Sequence, residues 1–394
     1  MLDGLDDIAW AALEHAYGPA TDVPAHLRGL LEPAGQDRRR ALSGLYGGIC
    51  HQGTRYEASA PAVPFLLELL QDPGTPDRPA IGRLVADLAV GLHETWLPGG
   101  FPVAPLRAAA VGGAELLRAA PPPSEDDEDE DFEGESRLDY LEGLDDAQQQ
   151  ALAAHVDLAA YDAVRAGLPV LRQLLADDDA AVRATAAYTL AWFPEGEPGA
   201  GTAALTAAAA DPSRSVAATA LVALGLLGTA VPAALQDPKP EIRWAAAIGL
   251  ARVHGPDAGP DAVALLLEWA ASPGAARPGI PFLDGDLAGY AALSLPGLGE
   301  AHTAAALDAL LTRLGTVTGV QTLPVLSTAL RLVFPDGPPP AGGALDPAQR
   351  RLARVLAGAP AAWQLGGRRF GNVTGLLRAY GLPGDPAELG DRAG

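Results

Sequence analysis

The sequence predicts an all-α fold in which repeated helices stack on one another. Three segments between Asp177 and Val253 place apolar residues at the same offsets of 0, 4, 5, 8 and 11. Because each helical residue advances about 100°, these offsets lie on one side of an α-helix. An aspartate stands five residues before each copy, which marks a recurring turn. The three copies, each after its aspartate, are Asp177 with Val182, Ala186, Ala187, Leu190 and Phe193; Asp211 with Val216, Ala220, Leu221, Leu224 and Leu227; and Asp237 with Ile242, Ala246, Ala247, Leu250 and Val253.

Composition supports a stack of short, closely packed helices. The 394 residues are 48% hydrophobic but only 5% aromatic. The 49 acidic and 27 basic residues give a formal charge of −22, which repels phosphate and argues against nucleic acid as a partner. Cys50 is the only cysteine, so we expect a reducing cytoplasm, with no disulfide and no multi-cysteine metal site. We expect neither a signal peptide nor a membrane span, because the acidic N-terminus lacks an apolar core and Pro232 divides the uncharged run Ser215–Leu235.

The first 120 residues divide into a cap and a first repeat. Residues 1–56 predict three helices, at Leu5–Tyr17, Asp22–Leu31 and Asp37–Leu45, which would hide the apolar end of a repeat stack. Residues 57–120 predict a repeat and one following helix at 104–119. In the repeat, a helix at 64–70 precedes the turn at 72–74, and the next helix fits the offsets through Ile81, Val85, Ala86, Ala89 and Leu92.

The remainder predicts an acidic interruption, the main solenoid and a basic tail. Residues 125–146 hold 13 acidic residues and one arginine, and we expect 121–143 to be a disordered insertion because it repels itself. A long helix from Asp145 or Asp146 to Arg165 opens the solenoid of residues 144–335. A fourth copy of the offsets follows at Leu287, Ala291, Ala292, Leu295 and Leu298. Residues 336–394 predict a flexible break and a basic tail with helices at 346–357 and 371–381.

The units at 177–187 and 237–247 resemble HEAT repeats, most closely the short bacterial type also found in phycobilin-lyase proteins. The resemblance covers about 57–93 and 167–335 and implies antiparallel helix pairs in a superhelical solenoid. It also implies that the turn aspartate and the arginine after the first apolar residue pair with neighbouring repeats. Asp177 with Arg183, and Asp237 with Arg243, match that pattern, whereas Ala217 replaces the arginine in the middle copy.

The first candidate site is an apolar stripe on the face opposite the repeated core. Offsets 2 and 6 should be polar if they meet only water, yet they carry large apolar residues. Such a stripe would line the concave surface and bind a partner; the alternative is that it packs against adjacent helices. The residues we expect to bind are Tyr188, Trp192, Val222, Arg243, Trp244, Ile248 and Leu293.

Two further groups invite catalytic or metal interpretations. The loop Cys50-His51-Gln52-Gly53-Thr54-Arg55-Tyr56-Glu57 concentrates reactive side chains, but a lone Cys–His pair without a third orienting group specifies little. The alternative is structural, with Arg55 and Glu57 holding the loop and Tyr56 capping the first repeat. His93-Glu94 resembles the His-Glu pairs of HEAT-like deoxyhypusine hydroxylases, which use several such pairs, so one pair predicts no metal site.

These observations predict a non-catalytic scaffold that binds a protein or peptide, with no cofactor. Aromatic anchors and acidic charges favour a basic or amphipathic partner. The alternative implied by the resemblance is a HEAT-like enzyme, either a DNA glycosylase or a chromophore lyase. A glycosylase would need a basic channel, which the repeats lack.

Overall fold

The computed structural model describes residues 1–91, 93–124, 136–195, 199–273, 276–338 and 343–394. The prediction of an all-α solenoid of helix pairs is confirmed: across these residues, helices are joined by turns, and two two-stranded hairpins form the β-structure. The chain divides into two compact units. Unit 1 comprises Met1–His93 with Gly99–Ala204, and unit 2 comprises Glu94–Pro98 with Leu205–Gly394.

Unit 1 begins with a hairpin and continues as helices. Antiparallel strands β1 (Glu14–His15) and β2 (Gly18–Pro19) precede the helices. The helices are α1 (Val23–Gly29), α2 (Gly35–Ile49), α3 (Ser59–Gln71), α4 (Arg78–Val90), α5 (Val103–Ala109), α6 (Gly113–Ala119), α7 (Arg137–Glu142), α8 (Asp146–Ala166), α9 (Leu168–Leu174) and α10 (Ala180–Leu190). The next helix, α11 (Ala200–Ala208), contains the boundary between the units.

Unit 2 follows the same plan and contains the second hairpin. Its helices are α12 (Arg214–Leu226), α13 (Pro240–His254), α14 (Pro260–Ala271), α15 (Leu287–Ser294), α16 (Thr303–Leu314), α17 (Thr322–Val333), α18 (Pro347–Ala357), α19 (Gly371–Ala379) and α20 (Pro386–Ala393). Strands β3 (Gln364–Leu365) and β4 (Arg368–Arg369) pair between α18 and α19. The predicted tail helices at 346–357 and 371–381 correspond to α18 and α19.

Two predicted elements differ in the structure. The expected helix Leu5–Tyr17 is replaced by short 3₁₀ turns and the β1–β2 hairpin, whose second strand begins at Gly18 with a positive φ of 100°. Part of the predicted disordered insertion is the helix α7, which Ser136 caps by accepting a hydrogen bond from the Asp139 backbone N–H. Residues 125–135 of that insertion, and Leu92 of the first repeat, lie outside the described residues.

The first two repeats of unit 1 are neighbours in space despite their distance in sequence. Helix α4, which carries Ile81, packs against α10, which carries Val182. Their approach is close, since a Cβ added to Gly82 would lie 2.8 Å from Cγ2 of Thr185. Helix α8 packs against both α3 and α4. The helices between α4 and α10 therefore separate the two copies in sequence without interrupting their stacking.

In unit 2, α12 and α13 meet through glycine. A Cβ added to Gly225 would lie 2.6 Å from the Cα of Gly249, a backbone atom that cannot move aside alone. A Cβ added to Gly249 would meet its nearest neighbour at 3.6 Å, an ordinary contact. An added side chain would therefore clash at position 225 but fit at position 249, although both glycines lie inside helices.

We expect Gly225→Ala to destabilise the protein by about 1–3 kcal/mol, because the added methyl pushes α12 from α13. Gly249→Ala is the matched control and should be neutral or stabilising by up to about 1 kcal/mol, since alanine favours helix over glycine. Urea denaturation of both variants checks this. Equal effects of the two substitutions would show that the glycine contact does not set the helix spacing.

Candidate functional site

The repeat turns share one local geometry built on their aspartates. Oδ1 of Asp177, Asp211 and Asp237 each accepts a hydrogen bond from the backbone N–H two residues later, at 2.8–2.9 Å. This bond fixes the turn that starts each repeated helix. The recurring aspartate found in the sequence is thus explained by the turn itself.

Asp177 also joins two neighbouring repeats. Its carboxylate accepts hydrogen bonds from both terminal nitrogens of Arg78, at the start of α4, and Nη1 lies 3.1 Å from Oδ1. The side chains of Arg78 and Asp177 are 7% and 12% exposed, so the pair is largely shielded from water. Desolvation raises the pKa of Asp177, but the hydrogen bonds from Arg78 and from the Asp179 backbone outweigh it, and the net shift is downward. The carboxylate therefore stays charged and binds the two repeats together.

The arginines expected to pair between repeats bind their own turns. Nη1 of Arg183 donates to the carbonyl oxygens of Asp177 and Asp178 at 2.7 and 3.1 Å. Arg243 donates in the same way to Asp237 and Pro238 at 2.8 and 3.1 Å. Between α4 and α10, the arginine of the repeat-to-repeat pair is Arg78, which lies 99 residues from its aspartate and has no local sequence signal.

The apolar stripe predicted to be exposed lies in the interior. Six of its seven side chains are 0–5% exposed, and the seventh, Arg243, is partly accessible. The expectation of an exposed stripe is wrong, because each repeated helix is covered on a third side that helical periodicity does not reveal. The exposed fractions are Tyr188 3%, Trp192 1%, Val222 0%, Trp244 0%, Ile248 2% and Leu293 5%.

Contacts within each unit account for this burial. In unit 2, Nε1 of Trp244 donates to the carbonyl oxygen of Leu287 at 2.8 Å, and the Trp244 ring lies edge-on to Tyr290. In unit 1, Tyr188 lies edge-on to Trp192 and under the guanidinium of Arg83, 5.0 Å from the ring centroid. These geometries correspond to packing against neighbouring helices, the alternative considered for the stripe.

The Cys50–Glu57 loop is held by two buried arginines. Arg55 pairs with Asp157 of α8 at 2.7 Å and donates to the carbonyl oxygen of Val90 at 3.1 Å. Glu57 accepts a hydrogen bond from Arg137 of α7, whose Nε also lies 2.6 Å from Glu14. The loop therefore ties α7 and α8 to the N-terminal part of unit 1, and this geometry favours its structural interpretation.

The reactive side chains of this loop are poorly placed for nucleophilic chemistry. Burial, with the nearby charge of Asp87, raises the pKa of Cys50 to about 12, so its thiol is protonated at neutral pH. Nδ1 of His51 lies 3.5 Å from the hydroxyl of Tyr17. The Tyr56 backbone N–H donates to Oγ of Ser59 at 2.8 Å, which secures the start of α3.

Glu94 of the His93-Glu94 pair makes a backbone contact within unit 2. Glu94 is buried, and its carboxylate accepts a hydrogen bond from the backbone N–H of Leu283. Among the residues that the structure describes, no group of three or more His, Cys, Asp or Glu side chains is arranged to hold a metal ion. Glu94 instead fixes the loop before α15 within unit 2.

Two adjoining grooves on unit 1 form a surface that sequence reasoning missed. The first, of about 450 Å³, lies at the turns of the two stacked repeats. The second, of about 360 Å³, is more apolar and lies between α1, α2 and the start of α4. The grooves share Asp77 and Pro79. The first is lined by Pro73, Thr75, Asp77, Arg78, Pro79 and Asp177–Asp179, and the second by Leu30, Arg38, Arg39, Leu42, Pro76, Asp77, Pro79, Ala80 and Ile81.

Helix pairs stacked through a repeated Asp-containing turn define an α-helical repeat protein. The family model described as HEAT repeats matches residues 138–225 and 202–277. Residues 138–277 of the chain therefore contain HEAT repeats. No curated protein matches it. A crystal structure described as an engineered protein aligns over 95% of this chain and 97% of that chain at 16% identity, but the TM-score of 0.26 is too low to indicate a shared fold.

The structure also bears on membrane association. Within the described ranges, we find no helix with the length and hydropathy needed to cross a bilayer.

Proposed function

We propose that this protein is a non-catalytic scaffold that binds a basic, amphipathic protein segment along the two grooves of unit 1. The observation that carries the proposal is the junction of an acidic groove with an apolar one. HEAT and related repeat proteins bind partners along extended surfaces formed by successive repeats. The junction lies where two repeats meet, so one segment would contact both.

The acidic groove supplies charge for a basic side chain. Asp178 and Asp179 are exposed beside the buried Arg78–Asp177 pair. Because that internal pair neutralises Asp177, the two neighbouring carboxylates determine the local potential. Thr75 lines the same groove, and its buried hydroxyl has no hydrogen-bond partner among the described residues. A guanidinium or ammonium group is the ligand chemistry that fits.

The second groove supplies the apolar contact. Leu42, Pro76 and Pro79 are its half-buried apolar side chains, and Leu30 and Ile81, which are 3% and 1% exposed, form its floor. Asp77 separates the two grooves and pairs with Nε of Arg38 at 2.7 Å. A segment that carries a basic residue and, nearby, a large apolar residue would match this order. Two of the stripe residues, Tyr188 and Trp192, lie in unit 1 and support the proposal by stabilising a repeat that presents the grooves.

The proposal is tested with synthetic peptides and matched charge variants. We expect a helical peptide of arginine and leucine to bind more tightly than its glutamate counterpart, measured by fluorescence anisotropy. Asp178→Lys with Asp179→Lys should weaken binding by about tenfold through loss of charge complementarity. The control carries Asp261→Lys with Glu268→Lys, an equal charge change at exposed positions of α14. Equal weakening by both variants, or no saturable binding, would refute the groove as the binding surface.

We further propose a cytoplasmic setting for this interaction. Cys50 is a buried free thiol. A single unpaired cysteine is typical of proteins kept in a reducing compartment.

A further inference from the structure

The two units contain the same small module, which is not apparent from the HEAT pattern. In each, a 3₁₀ turn leads into a two-stranded hairpin and then a short helix. The N-terminal module comprises Trp10–Ala12, β1, β2 and α1, and the C-terminal module comprises Pro360–Trp363, β3, β4 and α19. The two correspond residue by residue after a shift of 350 positions, from Leu13 to Trp363.

Equivalent hydrogen bonds and core residues support this correspondence. The backbone N–H of Ala20 donates to Leu13 at 2.9 Å, and that of Phe370 donates to Trp363 at 2.8 Å. The first helical residues that point inward are valine and leucine in both modules. They are Val23 and Leu27 in α1, and Val373 and Leu377 in α19, and all four are at most 1% exposed.

In the N-terminal module, α2 covers one face with small residues. Ala41, Gly44 and Gly48 lie at spacings of three and four on this helix. A Cβ added to Gly44 would lie 2.4 Å from the His26 ring, and one added to Gly48 would lie 2.9 Å from His15. At the other end, a Cβ added to Gly29 would lie 2.7 Å from that of Ala41. The covered positions are therefore 15, 26 and 29.

The equivalent face of the C-terminal module is accessible on α19, whereas in the hairpin Leu365 also contacts Gly319, whose added Cβ would lie 3.2 Å from Cδ1 of Leu365. Its positions 365, 376 and 379 are occupied by Leu365, Leu376 and Ala379. Leu365 is 46% exposed, whereas its counterpart His15 is 6% exposed. Leu376 is half-buried and Ala379 is exposed. The helix that follows, α20, packs against α18, and α19 packs against α17.

We propose that this face of unit 2, defined by Leu365, Leu376 and Ala379, binds a helix supplied by a partner protein. The partner helix would take the place that α2 takes on the N-terminal module. It would therefore carry small residues at i, i+3 and i+7, because α2 makes its close approach through that spacing.

Charge complementarity selects an acidic partner helix. Arg368 is exposed and lies opposite Leu365 in the β3–β4 pairing, so its guanidinium group lies beside this face. Residues 344–380 carry six arginines against Asp346 alone. An acidic residue flanking the small-residue stripe would pair with Arg368. This acidic helix differs from the basic segment proposed for the grooves of unit 1, so the two proposals are independent.

The test uses a designed acidic helical peptide with alanine, glycine and glycine at i, i+3 and i+7. We expect saturable binding to the full chain, measured by fluorescence anisotropy, and a loss of at least about tenfold for Leu365→Asp, which places a charge in an apolar contact. The same peptide with leucine at i+3 should also lose binding, because the close approach is blocked. The control Val111→Asp changes a residue that is 77% exposed in unit 1 and should leave binding unchanged.

Three outcomes of the binding experiment would overturn the proposal. They are no saturable binding of the designed peptide, equal loss for Leu365→Asp and Val111→Asp, and unchanged binding of the leucine-containing peptide. Sedimentation analysis addresses the remaining occupant: a dimer that Leu365→Asp dissociates would assign this face to a second copy of the chain and refute a partner helix. Circular dichroism checks that each variant is folded. We expect Leu365→Asp to fold because Leu365 is exposed.

Discussion

Replacing Trp244 with alanine is expected to lower the free energy of unfolding by about 3–5 kcal/mol. The side chain is fully buried, so the substitution leaves a cavity between α13 and α15. It also leaves the carbonyl oxygen of Leu287 without the indole N–H that it accepts at 2.8 Å. The lost burial, the cavity and the unsatisfied carbonyl all lower the free energy of unfolding.

Urea denaturation measures this change, with Trp96→Ala as the matched control. Trp96 also belongs to unit 2 but is 45% exposed, so its loss should cost less than about 1.5 kcal/mol. If Trp244→Ala were as mild as Trp96→Ala, the indole would not be part of the core. If Trp244→Ala were fully folded in that case and still lost partner binding, Trp244 would contact the partner directly, as the stripe hypothesis requires.

The behaviour of Trp244 shows what helical periodicity can and cannot predict. The offsets located the repeated helices because a buried face recurs every turn or so in any helix. They could not reveal that Trp244 and Tyr188 face other helices, since coverage of a second face depends on tertiary packing. In helices rich in alanine, nearly every position is apolar, and the pattern no longer separates an interior face from a binding face.

The sequence predicts the candidate sites less well than it predicts the fold. Asp177 was found as a turn residue because its hydrogen bond to Asp179 is local. Its pairing with Arg78 depends on an insertion that separates two stacked repeats by 99 positions. The spacing of Leu5, Ile8, Ala9, Ala12 and Leu13 predicts a helix, but these residues form 3₁₀ turns that lead into the β1–β2 hairpin. Gly18, which adopts a positive φ, is the signal that could have identified it.

Arg313 offers the second large effect, because it is a fully buried cation in unit 2. Its side chain is 0% exposed, and Nη2 lies 2.7 Å from Oδ1 of Asp286. Nη1 donates to the carbonyl oxygen of Ser272 at 2.8 Å. Asp286 in turn accepts a hydrogen bond from the Gly289 backbone N–H at 3.0 Å and so caps α15. The arginine therefore links α16 to the start of α15 and to the end of α14.

We expect Arg313→Met to destabilise the protein by about 3–5 kcal/mol, since it leaves the Asp286 carboxylate buried without a countercharge. Adding Asp286→Asn should recover at least about 1 kcal/mol, because the amide keeps the bond to Gly289 and removes the charge. The control is Arg351→Met, which breaks the exposed pair with Asp308, also at 2.7 Å, and should cost about 0–1 kcal/mol.

Urea denaturation of the three variants, with hydrogen exchange of the α16 amides reporting on unit 2 alone, distinguishes burial from pairing. Arg313 and Arg351 make ion pairs of the same length and differ in exposure, 0% against 52%. A large cost for Arg313→Met alone, partly reversed by Asp286→Asn, would establish that desolvation of the remaining carboxylate dominates. Equal costs for the two arginines, or no recovery in the double variant, would contradict that account and assign the loss to packing of the arginine side chain.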